Sequence, residues 1–275
     1  MSSLASLSAL NASAGNLAAA GSSAVRAETI RALRRQLVSA QQTQSSQRVI
    51  PTGLRSLDQL LPGGGLPTSA LIEWISDETG QAAASVALRA VAPLLSLPGC
   101  LAVIDENHDF HGNAAKAQGI PLSKILLVRP PRPTPEEVAA ANQSRYVRRV
   151  SVCHAEALWA LEQVARNAGV RAVLCWLDRA SPAVMRRLQL AVERSGVTIL
   201  LIRPATVLGS ASFADLRLHI QPVNLPDHIL RPAPPKARPL ERRSLSVRLL
   251  RSRHGIQHEG TATLHQNPWD DRVRD

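Results

Sequence analysis

Lysine is nearly missing from this chain: Lys116, Lys124 and Lys236 are the only three, so the other 29 of its 32 basic residues are arginine. Lysine is the point charge that nucleotide-binding loops set against a phosphate, and its scarcity limits where such a loop can lie. Aromatic residues make up only 3% of the sequence, which excludes the row of stacking rings that single-strand-binding proteins use. The three cysteines, Cys100, Cys153 and Cys175, form no C-x-x-C pair. They read as thiols of a reducing compartment, with a disulfide or a metal site as the alternative. No segment approaches the roughly 18 uninterrupted apolar residues of a membrane span, and the N-terminus lacks a basic stretch followed by an apolar core. A cytoplasmic protein without membrane contact is expected.

What is present is length, apolar content and positive charge. The 275 residues, 45% of them hydrophobic, suffice for one large α/β domain with appendages. A net charge of +11 and a pI of about 11.1 suit a polyanionic neighbour such as nucleic acid. The bland alternative is scattered, solvated arginines. Residues 1–23 are Ser, Ala, Leu, Gly and Asn with hardly anything else and no charge, a composition that cannot form a core. Residues 24–48 hold an amphipathic helix, Ala24–Ala40, and a polar linker, Gln41–Gln47. Ile30, Leu33 and Leu37 share that helix's apolar face, which packs on a partner or folds back on its own core.

The core, residues 49–222, is organised around LIEWISDETGQAAASVALRAVAPLL, Leu71–Leu95. It reads as a buried strand, a polar turn and an Ala-rich helix from Gln81, the layout of a phosphate-binding loop. The chemistry of such a loop is gone. Ser76 stands at the first glycine, Thr79 and Gly80 close a shortened turn, Gln81 takes the lysine position and Ala82 the hydroxyl position. An amide and a methyl group supply neither the cation for the terminal phosphates nor the ligand for Mg²⁺. No cofactor and no metal are expected.

Strands and helices then alternate, predicting a mainly parallel sheet covered on both faces. The strands are Leu101–Ile104, Ile125–Val128, Ala172–Leu177 and Thr198–Ile202; the helices are Gly112–Gln118, His154–Asn167 and Pro182–Ser195. Prolines in Arg129–Val152 mark a surface excursion with a short helix near Pro135–Asn142. Its basic cluster, Arg145, Arg148 and Arg149, either touches DNA or an acidic partner or is a solvated face. In residues 223–275 a Pro-rich crossing, Asn224–Pro239, leads to an antiparallel edge strand, Ser244–Arg253, with Leu245, Val247 and Leu249 on one side and Arg248, Arg251 and Arg253 among the polar groups. Thr261–Leu264 pairs with it as a hairpin, and the tail NPWDDRVRD offers Trp269 for docking or stays disordered.

IPTGLRSLDQLLPGGGLPTSALIEW, Ile50–Trp74, resembles the entry to the RecA recombinase core, and CLAVIDENHDFHGNAAKAQGIPLSKILLVRP, Cys100–Pro130, is similar to its next strand-loop-helix-strand unit. The resemblance implies a RecA-like α/β fold. It puts the catalytic glutamate at Asn107, which cannot accept a proton from water, with Glu106 as an off-register alternative. Asp178 takes the Walker B position, as a relic or as a cap for the following helix. Arg203 replaces the nucleotide-sensing glutamine and opens the stretch equivalent to the second DNA loop, while Arg179–Pro182 leaves no room for the first.

These departures, with the lysine-free turn, AVLCWLD, MRRLQLAVE, ILLIRP and VRLLRSRHG, resemble the ImuA family of bacterial SOS mutagenesis proteins. That resemblance implies a non-catalytic scaffold working with an ImuB-type polymerase-like protein and an error-prone DnaE-type polymerase, and at the nucleoid when engaged on damaged DNA. RecA itself, and DNA through the basic surface, stand as further candidate partners. Two other classes remain open at this point: an ATP-dependent recombinase paralogue, which nucleotide titration would reveal, and a SulA-like division inhibitor, which would bind the tubulin-like ring protein.

Overall fold

A computed structural model of the chain describes residues 48–77, 81–131, 149–223, 243–253, 260–266 and 273–274, all within the compact unit Gln47–Asp275. The first half contains β1 (Val49–Ile50), α1 (Arg55–Leu60), β2 (Leu66–Pro67), β3 (Leu71–Ser76), α2 (Gln81–Val91), β4 (Cys100–Ile104), α3 (Gly112–Ala117) and β5 (Ile125–Val128). The second contains α4 (Arg149–Val164), β6 (Val170–Trp176), α5 (Pro182–Ser195), β7 (Thr198–Pro204), β8 (Leu216–Val223), β9 (Arg243–Ser252), β10 (Thr261–Gln266) and β11 (Val273–Arg274).

Nine of these strands form one sheet in the order β11-β10-β9-β8-β3-β7-β6-β4-β5. The run from β8 to β5 is parallel and the run from β8 to β11 antiparallel. Every residue of β3 is buried, because parallel strands flank it on both edges and other layers cover both faces. On one face Ile72, Trp74, Leu200, Leu218, Val247 and their neighbours meet α1, α2 and α3; on the other Leu71, Ile104, Val173, Ile199 and Leu201 meet α4 and α5. The expected RecA-like α/β architecture is present.

Local sequence explains most boundaries. The Ser181 hydroxyl accepts from the Val184 N–H, Pro182 opens α5, and Gly196 closes it at φ 78°. Alanines let α2 lie close on the sheet until Pro93, which turns its last residues into a 3₁₀ segment, Ala92–Ser96; the helix therefore stops short of the expected Leu95. Helix α4 begins at Arg149, five residues before the expected start, since nothing in RVSV interrupts it, and ends at Val164 rather than Asn167. Strand β9 is not the sheet's edge: β10 pairs with it from Arg243 to Arg248, and β11 lies outside β10.

The TGLRSLD segment ties the entry down. The Thr52 N–H and hydroxyl both donate to Asp58 Oδ1 at 2.8 Å, and the Leu54 N–H donates to the Thr52 hydroxyl. Gly65 is required by contact: a side chain there would run into the Ile50 carbonyl where β1 meets β2. Among the described residues no helix is long and apolar enough to cross a membrane. The expected helices Ala24–Ala40 (with Ile30, Leu33 and Leu37) and Pro135–Asn142, together with the linker Gln41–Gln47, Arg145, Arg148, the crossing Asn224–Pro239 and Trp269, lie outside the described residues.

Candidate functional site

The carboxylate of Glu73 sits in the middle of β3 at 1% exposure, among residues that are otherwise apolar. It faces α5, at the point where the helical layer gives way to the polar side of β8. Two arginines from the flanking strands meet it. Arg203 of β7 donates from Nη1 to Oε1 at 2.9 Å, and Arg217 of β8 donates from Nε to Oε2 at 2.7 Å. Arg217 also donates to the Val207 and Ser210 carbonyls, which fastens the loop after β7 over the triad. Arg203 has less support: its Nη1 reaches the Met185 sulfur at 3.6 Å, and its Nε is buried without a partner. Burial pulls the Arg203 guanidinium below its ordinary value while Glu73 holds it up. Guanidinium starts so high that the group stays charged at neutral pH.

Arg203, which the sequence offered as a possible partner or DNA contact, does not lie on the surface. At 6% exposure it is withdrawn into the sheet, because a carboxylate on the adjacent strand compensates the cost of burying it. Glu73 and Arg217 were missed. Their signal was the alternation LRLHI in β8, where Leu216, Leu218 and Ile220 enter one core while Arg217 and His219 face the opposite side.

At the end of β3 the phosphate-loop position begins with another carboxylate. Ser76 is buried, and Asp77 beside it accepts from His219 Nε2 at 2.9 Å and Gln221 Nε2 at 2.7 Å. The Gln221 amide and then the His219 ring hold the Asp77 carboxyl below its usual range. Thr79, Gly80 and the Gln81 side chain lie outside the described residues; Ala82 packs half-buried against the core beneath α2. A carboxylate thus stands at the end of β3 where the expected phosphate loop begins.

The expected catalytic-glutamate position lies in the turn after β4, not on the strand. Asn107 is exposed there, and Asp105 organises the turn by accepting from the Asp109 and Phe110 N–H groups and from Arg129 Nε. Glu106 meets His154 Nδ1 at 3.2 Å, while His154 Nε2 meets the Arg179 carbonyl at 2.9 Å. This joins α4 to the turns after β4 and β6. Asp178 is exposed and is not the cap of α5; Ser181 fills that role. Cys100 and Cys175 are free thiols, and burial, with Glu106 adding to it, pushes Cys175 up to about 12, so it is no nucleophile at neutral pH. Among the described residues no group of His, Cys, Asp and Glu could hold a metal.

The C-terminal arginines divide. Arg248 is exposed, whereas Arg251 donates to the Ser212 carbonyl and Arg253 pairs with Glu193 at 3.3 Å and Asp215 at 3.6 Å. Arg149 belongs to α4, and its side chain lies outside the described set.

No family profile matches the sequence. A stretch of 89 residues, 32% of this chain, is 39% identical to the RecA protein of Saccharopolyspora erythraea and spans 25% of it. A further RecA protein, from Mycolicibacterium smegmatis, is 39% identical over 82 residues, 30% of this chain and 23% of that RecA. With the sheet order and the TGLRSLD clamp, these matches define the chain as a RecA-like α/β protein. A longer match, 212 residues at 29% identity, joins 71% of the chain to 78% of the ImuA protein of Caulobacter vibrioides. Within the RecA-like class, then, the chain is related to ImuA.

Two outcomes follow from these charges. Glu73→Gln leaves the buried Arg203 and Arg217 guanidiniums without their carboxylate and is expected to cost about 3–5 kcal/mol in urea unfolding. Adding Arg203→Met to Glu73→Gln removes one of the two uncompensated cations and recovers part of that loss. A single-variant loss under about 1 kcal/mol would contradict the assignment of the triad. For Asp77 the folded value lies below the unfolded one, so its contacts stabilise above the unfolded carboxylate value of about 3.9 and fade as pH falls through the folded value. The stability gap between the wild type and Asp77→Asn should hold steady from about pH 7 to about pH 5 and close on further acidification; a gap that persists in acid would show that the carboxylate's charge is not what matters.

Proposed function

We propose that this protein is a non-catalytic RecA-like accessory protein of bacterial SOS mutagenesis, serving as a rigid platform for translesion synthesis. Its partners in this reading are an ImuB-type polymerase-like protein and an error-prone DnaE-type polymerase. The relation to ImuA supports the setting. The single observation that carries the non-catalytic role is the chemistry at the end of β3. There, Asp77 presents a carboxylate that two β8 side chains hold in its ionised form, and Gln81 and Ala82 stand where a lysine and a hydroxyl would grip nucleotide and Mg²⁺.

A second line of support is Arg203. In an ATPase of this shape the end of this strand reports on the nucleotide; here the residue is tied to Glu73 inside the sheet. A chain that neither holds nor splits nucleotide acts through its surfaces. The stretches that contribute those contacts in this proposal are residues 24–40 and the C-terminal segment from Arg242, which includes the exposed Arg248.

Co-purification with an ImuB-type protein tests the role directly. The full chain is expected to form the complex, and deletion of residues 24–40 or of the segment from Arg242 is expected to abolish it in at least one case, with circular dichroism showing the core still folded. Failure of the folded full chain to bind, or undiminished binding by both truncated forms, would overturn the proposal.

A further inference from the structure

Helices α4 and α5 lie side by side on one face of the sheet, and between them runs a cavity of about 490 Å³. Arg166, in the turn just past α4, and Arg187 and Arg194 of α5 line it, with Leu190 and Ala191 as an apolar floor. One carboxylate answers these three cations. Glu162 accepts from Arg187 Nη2 at 2.6 Å and Nε at 3.0 Å and lies 3.7 Å from Arg166 Nη2. Arg194 is exposed and has no ion pair among the described residues. The groove thus keeps unanswered positive charge, held on α5 and just past α4.

Beside it stands Trp159, 66% exposed. Trp159 and Glu162 follow one another along the same side of α4, and Arg166 stands in the turn just past its end. Arg187 and Arg194 are likewise seven residues apart on α5. Water-exposed tryptophan is costly to leave uncovered, and tryptophan and arginine are the residue types that carry most binding energy at protein interfaces. Planar guanidinium forks suit carboxylates, and the Leu190–Ala191 floor suits an apolar side chain between them.

We infer that the α4–α5 groove is a docking site for an acidic peptide segment of a protein partner, one that places carboxylates on Arg166, Arg187 and Arg194 and an apolar residue on the floor or against Trp159. Charge complementarity argues for an acidic ligand, and the aromatic count argues for protein over nucleic acid. Trp159 is the one exposed aromatic among the described residues, whereas a bound single strand needs successive rings. The inference does not rest on the mutasome role proposed above, since it is argued from the residues lining this groove and from Trp159 alone.

The test is fluorescence anisotropy of the full-length chain with labelled short peptides that alternate Glu or Asp with Leu, Phe or Trp. Matching peptides carrying Lys for the acids, and a labelled oligothymidylate, serve as counter-probes. At least one acidic peptide is expected to bind, weakening with added salt. Binding should drop by about tenfold or more in Arg187→Glu/Arg194→Glu and in Trp159→Ala. Should the double variant fail to fold, Arg194→Glu alone, which breaks no ion pair, carries the test. Absence of binding by every acidic peptide, undiminished binding by the variants, or variant-sensitive binding of oligothymidylate in place of peptide would overturn the inference.

Discussion

One carboxylate between two guanidiniums governs the centre of this fold. Glu73, Arg203 and Arg217 come from three neighbouring strands, and each is nearly sealed from water. Any one of them alone in that place would cost several kcal/mol, so the three are tolerated only together. Their pairing draws β7 and β8 onto either side of β3, and the carbonyls of Val207 and Ser210 complete Arg217's donors, closing the loop after β7 over the site. At the start of the same strands Asp215 repeats the device on a smaller scale: its side chain accepts from the Leu71 N–H, and its backbone links to Leu71 and Arg253.

The consequence for function is positional. A nucleotide motor of this shape needs a mobile loop after β3 and a reporting side chain at the end of β7. This chain has a carboxylate braced by His219 and Gln221 in the first place and an arginine locked to Glu73 in the second. Both sets of contacts hold their side chains in place, which suits the platform role proposed here. The outer faces carry the variety: arginines on α5, the Trp159 ring on α4, and Arg248 on β9.

How far the sequence was legible depended on whether its signals were local. Helix α5 could be read to the residue because Ser181, Pro182 and Gly196 each act within a turn of the helix, and β5 because ILLV stands between turn residues. The entry motif was legible as a pattern, though the Thr52–Asp58 clamp that explains it was not. Strand β8 and the burial of Arg203 were not legible. An arginine on its own reads as a surface residue, and only the approach of Glu73, more than a hundred residues away in the chain, makes an interior place affordable. The Asp77 contacts were hidden for the same reason, since His219 and Gln221 reach it only once β3 and β8 have paired. Asp178 was read as a relic of the Walker B acid or as a cap, and of these the capping role belongs to Ser181, three residues further on.

The central claim is that the chain keeps the form of a nucleotide-driven protein without the groups that grip the nucleotide. Calorimetric titration with ATP and Mg²⁺ tests it most directly. Loss of the lysine contacts alone removes about 1.5–3 kcal/mol per charge-assisted bond, so no Mg²⁺-dependent binding is expected even at millimolar nucleotide. Tight, Mg²⁺-dependent binding that disappears in Gln81→Ala or Asp178→Ala would contradict the account.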